Sequence, residues 1–205
     1  MTVKDVNQKY LIDYSYLTDA QKHYSQVGYN YVDAPWFVSD KAMNITVPAG
    51  ITCQGKEIPV ASGEQSFLQL ALDKKLPVGK HYCVTPCLRR SDPYDDLHCQ
   101  EFMKLELIYY FGYLEENIFA AGAMHCNLLE DAKSFFNKYL PIEVRNINDM
   151  KRLGCVTENP QDIEWNGIEL GSYGIRHAAE VGSWIYGTGV ALPRLQIAIQ
   201  RLTKT

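Results

Sequence analysis

Apolar runs of strand length recur along this chain with no regular helical crossover between them, and that spacing restricts the fold. Lys80–Leu88 and Glu101–Phe111 read as two strands around a charged twelve-residue link, an antiparallel pair carrying a functional loop. Pro141–Ile147, residues 163–170 and residues 181–186 read as further strands. Asn30–Ala34 reads as another, stopped by Pro35, with Trp36-Phe-Val behind it. The expected architecture is α+β: a mainly antiparallel sheet flanked by helices. Helices are predicted over residues 8–27, ending at Gly28, and over Ser62–Leu72, where the serine is of capping type. The longest spans 114–138, with Leu114, Ile118, Ala121, Leu128, Ala132, Phe135 and Phe136 along its apolar stripe, and the last starts at Pro193. Residues 40–60 are turn-rich and read as a hairpin or an ordered loop.

At 205 residues the length fits one domain, 1–205, with a substantial core. A formal net charge of −4 argues against a protein that coats nucleic-acid backbone. The polar start Met1-Thr-Val-Lys-Asp and the lack of a bilayer-length apolar run predict a cytoplasmic protein without membrane association. The six cysteines read as reduced thiols. Cys83, Cys87 and the His98-Cys99 pair lack the tight matched knuckles of a zinc site, and on a strand Cys83 and Cys87 need only fill space.

The chemistry concentrates near the C-terminus. Asp162-Ile-Glu-Trp-Asn-Gly-Ile-Glu169 alternates acidic and apolar residues, then runs through Gly-Ser172-Tyr-Gly to Arg176. Gly187-Thr-Gly189-Val-Ala-Leu-Pro-Arg194-Leu195 follows, with glycines that permit close approach of backbone to a ligand and an arginine opening an apolar helix. Carboxylates able to hold a divalent cation, beside an arginine with a rigid five-donor fork, suit a nucleotide triphosphate.

Taken with the middle of the chain, these segments resemble the catalytic core of the class II aminoacyl-tRNA synthetases over nearly the whole length. A helix and a strand ending in proline, Gln21 to Pro35, match the first signature. Arg90-Ser-Asp92, then His98-Cys-Gln-Glu101-Phe102-Met-Lys-Leu-Glu106, match the second; Asp92 stands where the family more often has glutamate. Gly189-Val-Ala-Leu-Pro-Arg194-Leu195 matches the third. The resemblance implies that Arg90, or the adjacent Arg89, clamps the α-phosphate and the attacking carboxylate. It implies that Phe102 stacks under adenine with Arg194 above, and that Arg194 reaches the γ-phosphate with help from His98. Glu169, with Asp162, would hold Mg²⁺. No general base is required, because a carboxylate is already nucleophilic.

Within the class, Gly-Ile-Glu169-Leu-Gly-Ser172-Tyr-Gly-Ile-Arg176 is most similar to the aspartyl/asparaginyl branch and to ammonia-dependent asparagine synthetase. There Arg176 takes the position that binds the substrate side chain, in a pocket with Ser172, and Gln65 the position that receives the α-amino group. Leu68 stands where aspartyl enzymes carry lysine, which leaves asparagine or another polar amino acid open. The chain begins near the first signature and stops just after the third, so an anticodon-binding domain and ordinary tRNA charging are not expected. The expected activity is an ATP-dependent, adenylate-forming ligation. The acceptor would be ammonia, as in an asparagine-synthetase-like amide ligase, a protein or a nucleic-acid end. A non-catalytic paralogue serving as a binding or regulatory module is the alternative. Tyr29, Tyr31, Val32, Pro35, Trp36 and Phe37 concentrate aromatic and apolar surface and predict a homodimer.

Overall fold

The computed structural model describes residues 12–47, 57–89, 97, 99–113, 118–147 and 154–204. Long strands dominate: β4 (Gly79–Leu88), β5 (Glu101–Gly112), β7 (Val156–Trp165), β8 (Ile168–Ala178) and β9 (Gly182–Leu192). With the short β1 (Asn30–Tyr31) and β6 (Glu143–Asn146) they form a seven-stranded sheet of order β1-β4-β5-β9-β8-β7-β6. The β1–β4 pairing is parallel and every other pairing in this sheet is antiparallel, as the sequence predicts.

Strand alternation gives β5 two dissimilar faces. Leu105, Leu107 and Phe111 enter the larger core beneath α1 (Ser15–Gln26), α4 (Ile118–Phe136) and α5 (Arg194–Leu202). Tyr24, Leu128, Phe135 and Leu195 from those helices complete that layer. On the opposite face Ile108 and Tyr110 pack with Trp184, Tyr186 and Phe67 of α3 (Gly63–Leu72). Phe102, Lys104 and Glu106 lie in phase with that second face.

The start of α3 follows from its capping box. The Ser62 backbone N–H donates to Gln65 Oε1 at 2.7 Å, and Ser62 Oγ accepts from the Glu64 N–H at 3.5 Å. Gly63 lets this terminus press against the sheet: a Cβ there would meet Glu106 Cβ at 2.8 Å and Cys83 Sγ at 2.9 Å. The glycines at 187 and 189, expected to admit a ligand, instead admit core side chains. A Cβ on Gly187 would strike Leu128 and Tyr173, and one on Gly189 would strike Leu105 and Tyr24. Cys83 and Cys87 are buried, as thiols that fill space.

Several local expectations need correction. Residues 163–170 are not one strand but the end of β7, a turn at Asn166-Gly167 and the start of β8. Both turn residues have positive φ, 47° and 75°, which is what an Asn-Gly hairpin turn requires. Asp40–Thr46 is a helix, α2, where a hairpin or loop was expected; Ser39 caps it by accepting from the Ala42 N–H at 3.3 Å. Beyond it, Ile58–Pro59 (β3) pairs with Phe37–Val38 (β2), and residues 48–56 lie outside the described residues. The strand expected over 30–34 runs only over Asn30–Tyr31, with one further bond from the Val32 N–H to Tyr82 O at 2.9 Å. Leu114 of the predicted helical stripe also lies outside the described residues.

Two alanine substitutions separate packing from backbone effects. Gly63→Ala is expected to cost about 1–3 kcal/mol in urea denaturation, through forced displacement of α3. Gly122→Ala, in α4 with nothing near its Cβ position, is expected to stabilise by about 0.5–1 kcal/mol.

Candidate active site

A cleft with about 490 Å³ of empty space, open solvent included, lies beside the start of α5. Arg89, Phe102, Lys104, Glu169, Thr188 and Arg194 line it, together with Leu97 and Cys99 at the edge of the β4–β5 link. Four residues singled out in the sequence, Arg89, Phe102, Glu169 and Arg194, therefore converge from β4's end, β5, β8 and α5. Arg90, Asp92 and His98 lie outside the described residues.

The two arginines make different contacts within the protein. The Arg89 guanidinium sits over the Phe102 ring, 5.1 Å from its centroid, while its Nε donates to Ala61 O at 2.9 Å. Arg194 instead reaches Glu169, its Nη1 donating to the backbone O at 3.1 Å and to Oε1 at 3.3 Å. Arg194 opens α5 and lines the cleft.

Acidic side chains gather on the β7–β8 hairpin beside the cleft. Asp162 lies opposite Ser172, and Glu164 lies opposite Glu169. Like charges directly across a ladder repel, so this register needs a counter-charge. Arg145 supplies part of it, 2.8 Å from Glu164 and 3.9 Å from Asp162. Burial, then the neighbouring Glu169, push the Asp162 carboxyl up to about 6, against a lowering hydrogen bond from Ser172. Asp162 and Glu169 are hard oxygen donors, but among the described residues no group of three or more His, Cys, Asp or Glu is placed to hold a metal ion.

Deeper on the same face lies a buried charge network that the sequence did not disclose. Lys104 Nζ is 2.8 Å from Glu106 Oε2 and donates to Ser62 Oγ at 3.2 Å, and Ser62 Oγ donates to the same carboxylate. Burial raises the Glu106 pKa, with Lys104 opposing the shift. Beside this group Arg176 pairs with Glu64 through Nη1, and Trp184 Nε1 donates to the other Glu64 oxygen at 2.8 Å. Arg176 also donates from Nε to Thr157 Oγ1 at 3.3 Å and lies 3.8 Å from the Tyr186 ring centroid. Arg176 and Glu64 are 3% and 5% exposed, so both are desolvated and depend on each other. Gln65 is likewise engaged, donating to Thr46 Oγ1 at 2.8 Å besides its capping bond.

Arg176 and Gln65, expected to meet a substrate, thus carry internal partners in this structure. Lys104 and Glu64 had no assigned role in the sequence. The signal for Lys104 was present, since a lysine and a glutamate in phase with Phe102 interrupt an otherwise apolar strand. The partnership of Glu64 with Arg176 joins residues far apart in the chain and left no local trace.

No protein-family profile and no curated protein matches this chain. Solved structures do match. A pyrrolysyl-tRNA synthetase from Desulfitobacterium hafniense superposes with a TM-score of 0.67 at 16% identity, covering 91% of this chain and 66% of that one. Seryl-tRNA synthetase from Pyrococcus horikoshii, complexed with ATP, gives 0.71 at 16% identity over 90% of this chain. The cytoplasmic serine-tRNA ligase of Naegleria fowleri, in complex with AMP, gives 0.69, also at 16% identity over 90% of this chain. The fold is that of a class II synthetase catalytic core. This chain spans 49% and 47% of those two seryl enzymes. Among the described residues no helix is long and apolar enough to cross a membrane.

Asp162 gives this synthetase fold a pH signature. Because its carboxyl is raised to about 6, the folded state holds a proton that the unfolded state releases nearer pH 4. Its contribution to stability is therefore fully present below about pH 4 and is lost as pH rises through about 6. Asp162→Asn is expected to raise the melting temperature at pH 8 and to change it little near pH 4. Any stabilisation by Mg²⁺ at pH 8 should disappear in the same variant, as differential scanning fluorimetry can record.

Proposed function

We propose that the chain is an adenylate-forming ligase. In this reading an amino-acid carboxylate attacks the α-phosphorus of ATP, giving aminoacyl-AMP and pyrophosphate, and an acceptor nucleophile then takes the acyl group with release of AMP. The observation that carries it is the convergence of Phe102, Arg89, Arg194 and Glu169 on one cleft, in a fold shared with synthetases solved with ATP or AMP. Phe102 offers an aromatic face to adenine, with a guanidinium already placed against it. Arg89, Arg194 and the neighbouring Arg90 supply positive charge where the transferring phosphate gains negative charge. Mg²⁺, held by Glu169 and Asp162, would neutralise phosphate oxygens when bound. Release of Arg194 from Glu169 would free the guanidinium for phosphate and the carboxylate for the cation together. The acceptor is proposed to be ammonia, a protein or a nucleic-acid end.

For the amino acid we propose an asparagine- or aspartate-like substrate, with Arg176 meeting its side chain, Gln65 its α-amino group and Ser172 as a further contact. Glu64 refines that choice. A guanidinium already paired with a carboxylate offers one donor and one acceptor together, which matches a carboxamide better than a second carboxylate. In ATP–pyrophosphate exchange across the twenty amino acids, asparagine is expected to lead. Glu64→Gln should lose stability, since it strands a buried guanidinium, and free aspartate should restore part of the loss. Arg194→Ala should abolish the rise in melting temperature that ATP with Mg²⁺ gives the parent protein. No rise at millimolar ATP in the parent would sink the ligase.

A homodimer is proposed as well. Tyr31, Trp36 and Phe37 are each more than half exposed, beside the edge strand β1, while Tyr29 is buried. An isologous contact would bury such aromatics in both subunits at once. Sedimentation is expected to give twice the 23.3 kDa chain mass, and Trp36→Ala to shift the protein toward monomer.

A further inference from the structure

We infer that Lys104 is a phosphate-binding residue of the cleft, the group through which it distinguishes a nucleotide from a nucleoside. This rests on the proposal that an adenine nucleotide binds there. Lys104 follows Phe102 by two residues on the same face of β5, about 7 Å along the strand, and both line the cleft. A base stacked on Phe102 would leave its sugar and phosphates to run along that surface.

The ammonium is held rather than loose. Glu106 at 2.8 Å and Ser62 at 3.2 Å accept two of its three N–H bonds, which leaves, among the described residues, one donor for a ligand. Glu106 and Ser62 also bond each other, so the lysine is anchored from two elements, β5 and the N-terminus of α3. A buried ion pair with no further task is commonly replaced by apolar side chains without loss of stability. This pair is 10% and 2% exposed at its side chains, and the lysine is the partner that lines the cleft. Arg89 is drawn to Ala61 and the Phe102 ring, and Arg194 to Glu169. Lys104 is thus the cation fixed at the inner end, where the innermost phosphate of a stacked nucleotide would lie.

Adenosine, AMP and ATP binding to the parent protein, Lys104→Met and Lys104→Arg, measured by isothermal titration calorimetry, tests the assignment. Lys104→Met is expected to weaken AMP and ATP about ten- to a hundredfold while moving adenosine by less than about twofold, the loss of one charge-assisted bond. Lys104→Arg should fall between. Equal weakening of all three ligands would make Lys104 a structural counter-ion of Glu106 and overturn the inference, as would unchanged AMP and ATP affinity. If Lys104→Met does not fold because Glu106 is stranded, the double variant Lys104→Met/Glu106→Gln removes both charges, and the same ligand pattern decides. If only amino-acid affinity falls in these variants, the lysine serves a carboxylate and the inference fails. A parent protein that binds none of the three removes the nucleotide proposal too, whereas unaltered ATP binding by the variants removes this inference alone.

Discussion

The close seating of the first turn of α3 on the sheet governs the rest of the molecule. Gly63 has no room for a Cβ between Glu106 and Cys83, and the residues on either side of it reach in opposite directions from that contact. Ser62 turns to Lys104 and Glu106, and Glu64 turns to Arg176 and Trp184. Four charged side chains are thereby desolvated on one face of a sheet, each with an opposite partner. Removing any one partner would leave a buried charge uncompensated, a cost of about 3–5 kcal/mol. Residues from α3, β5, β8 and β9 are thus bound into a single unit that ends where the cleft begins.

The cleft itself is assembled from weaker, replaceable contacts. Glu169 is about half exposed at its side chain and Arg194 a fifth exposed, so their mutual pairing is screened and contributes little to stability. This contrast suits a ligand site. The buried pairs set the positions of the strands, while the exposed pair can exchange partners without threatening the fold. A cation at Glu169 and Asp162 would also remove the cross-strand repulsion between Glu164 and Glu169.

Much of this was legible in the sequence because it depended on local rules. The period of β5, the capping serine of α3 and the apolar stripe of α4 each announce themselves within a dozen residues, and the antiparallel sheet follows from them. Phe102, Glu169 and Arg194, singled out in the sequence by the spacing of a recognisable pattern, line one cleft. The errors also have local causes. Asn166-Gly167 is a strong hairpin signal, yet it was overrun by apolar residues on both sides. Asp40–Thr46 lies in a turn-rich region, and tertiary burial of Ala42, Met43 and Ile45 makes it helical. The role of the glycines near 187 and the pairing of Glu64 with Arg176 depend on which side chains meet across the sheet, and no window along the chain contains that information.

One contact gives the molecule a built-in optical probe. The chain has three tryptophans, and Trp184 alone among them is completely buried, with its indole N–H donated to Glu64. Its emission is therefore coupled to a carboxylate whose other oxygen holds Arg176. Trp36 is exposed and Trp165 sits in the opposite core layer, so the three indoles report on three separate surroundings. A rearrangement of the Glu64–Arg176 pair would register as a spectral change in one fluorophore, without a label and without any turnover.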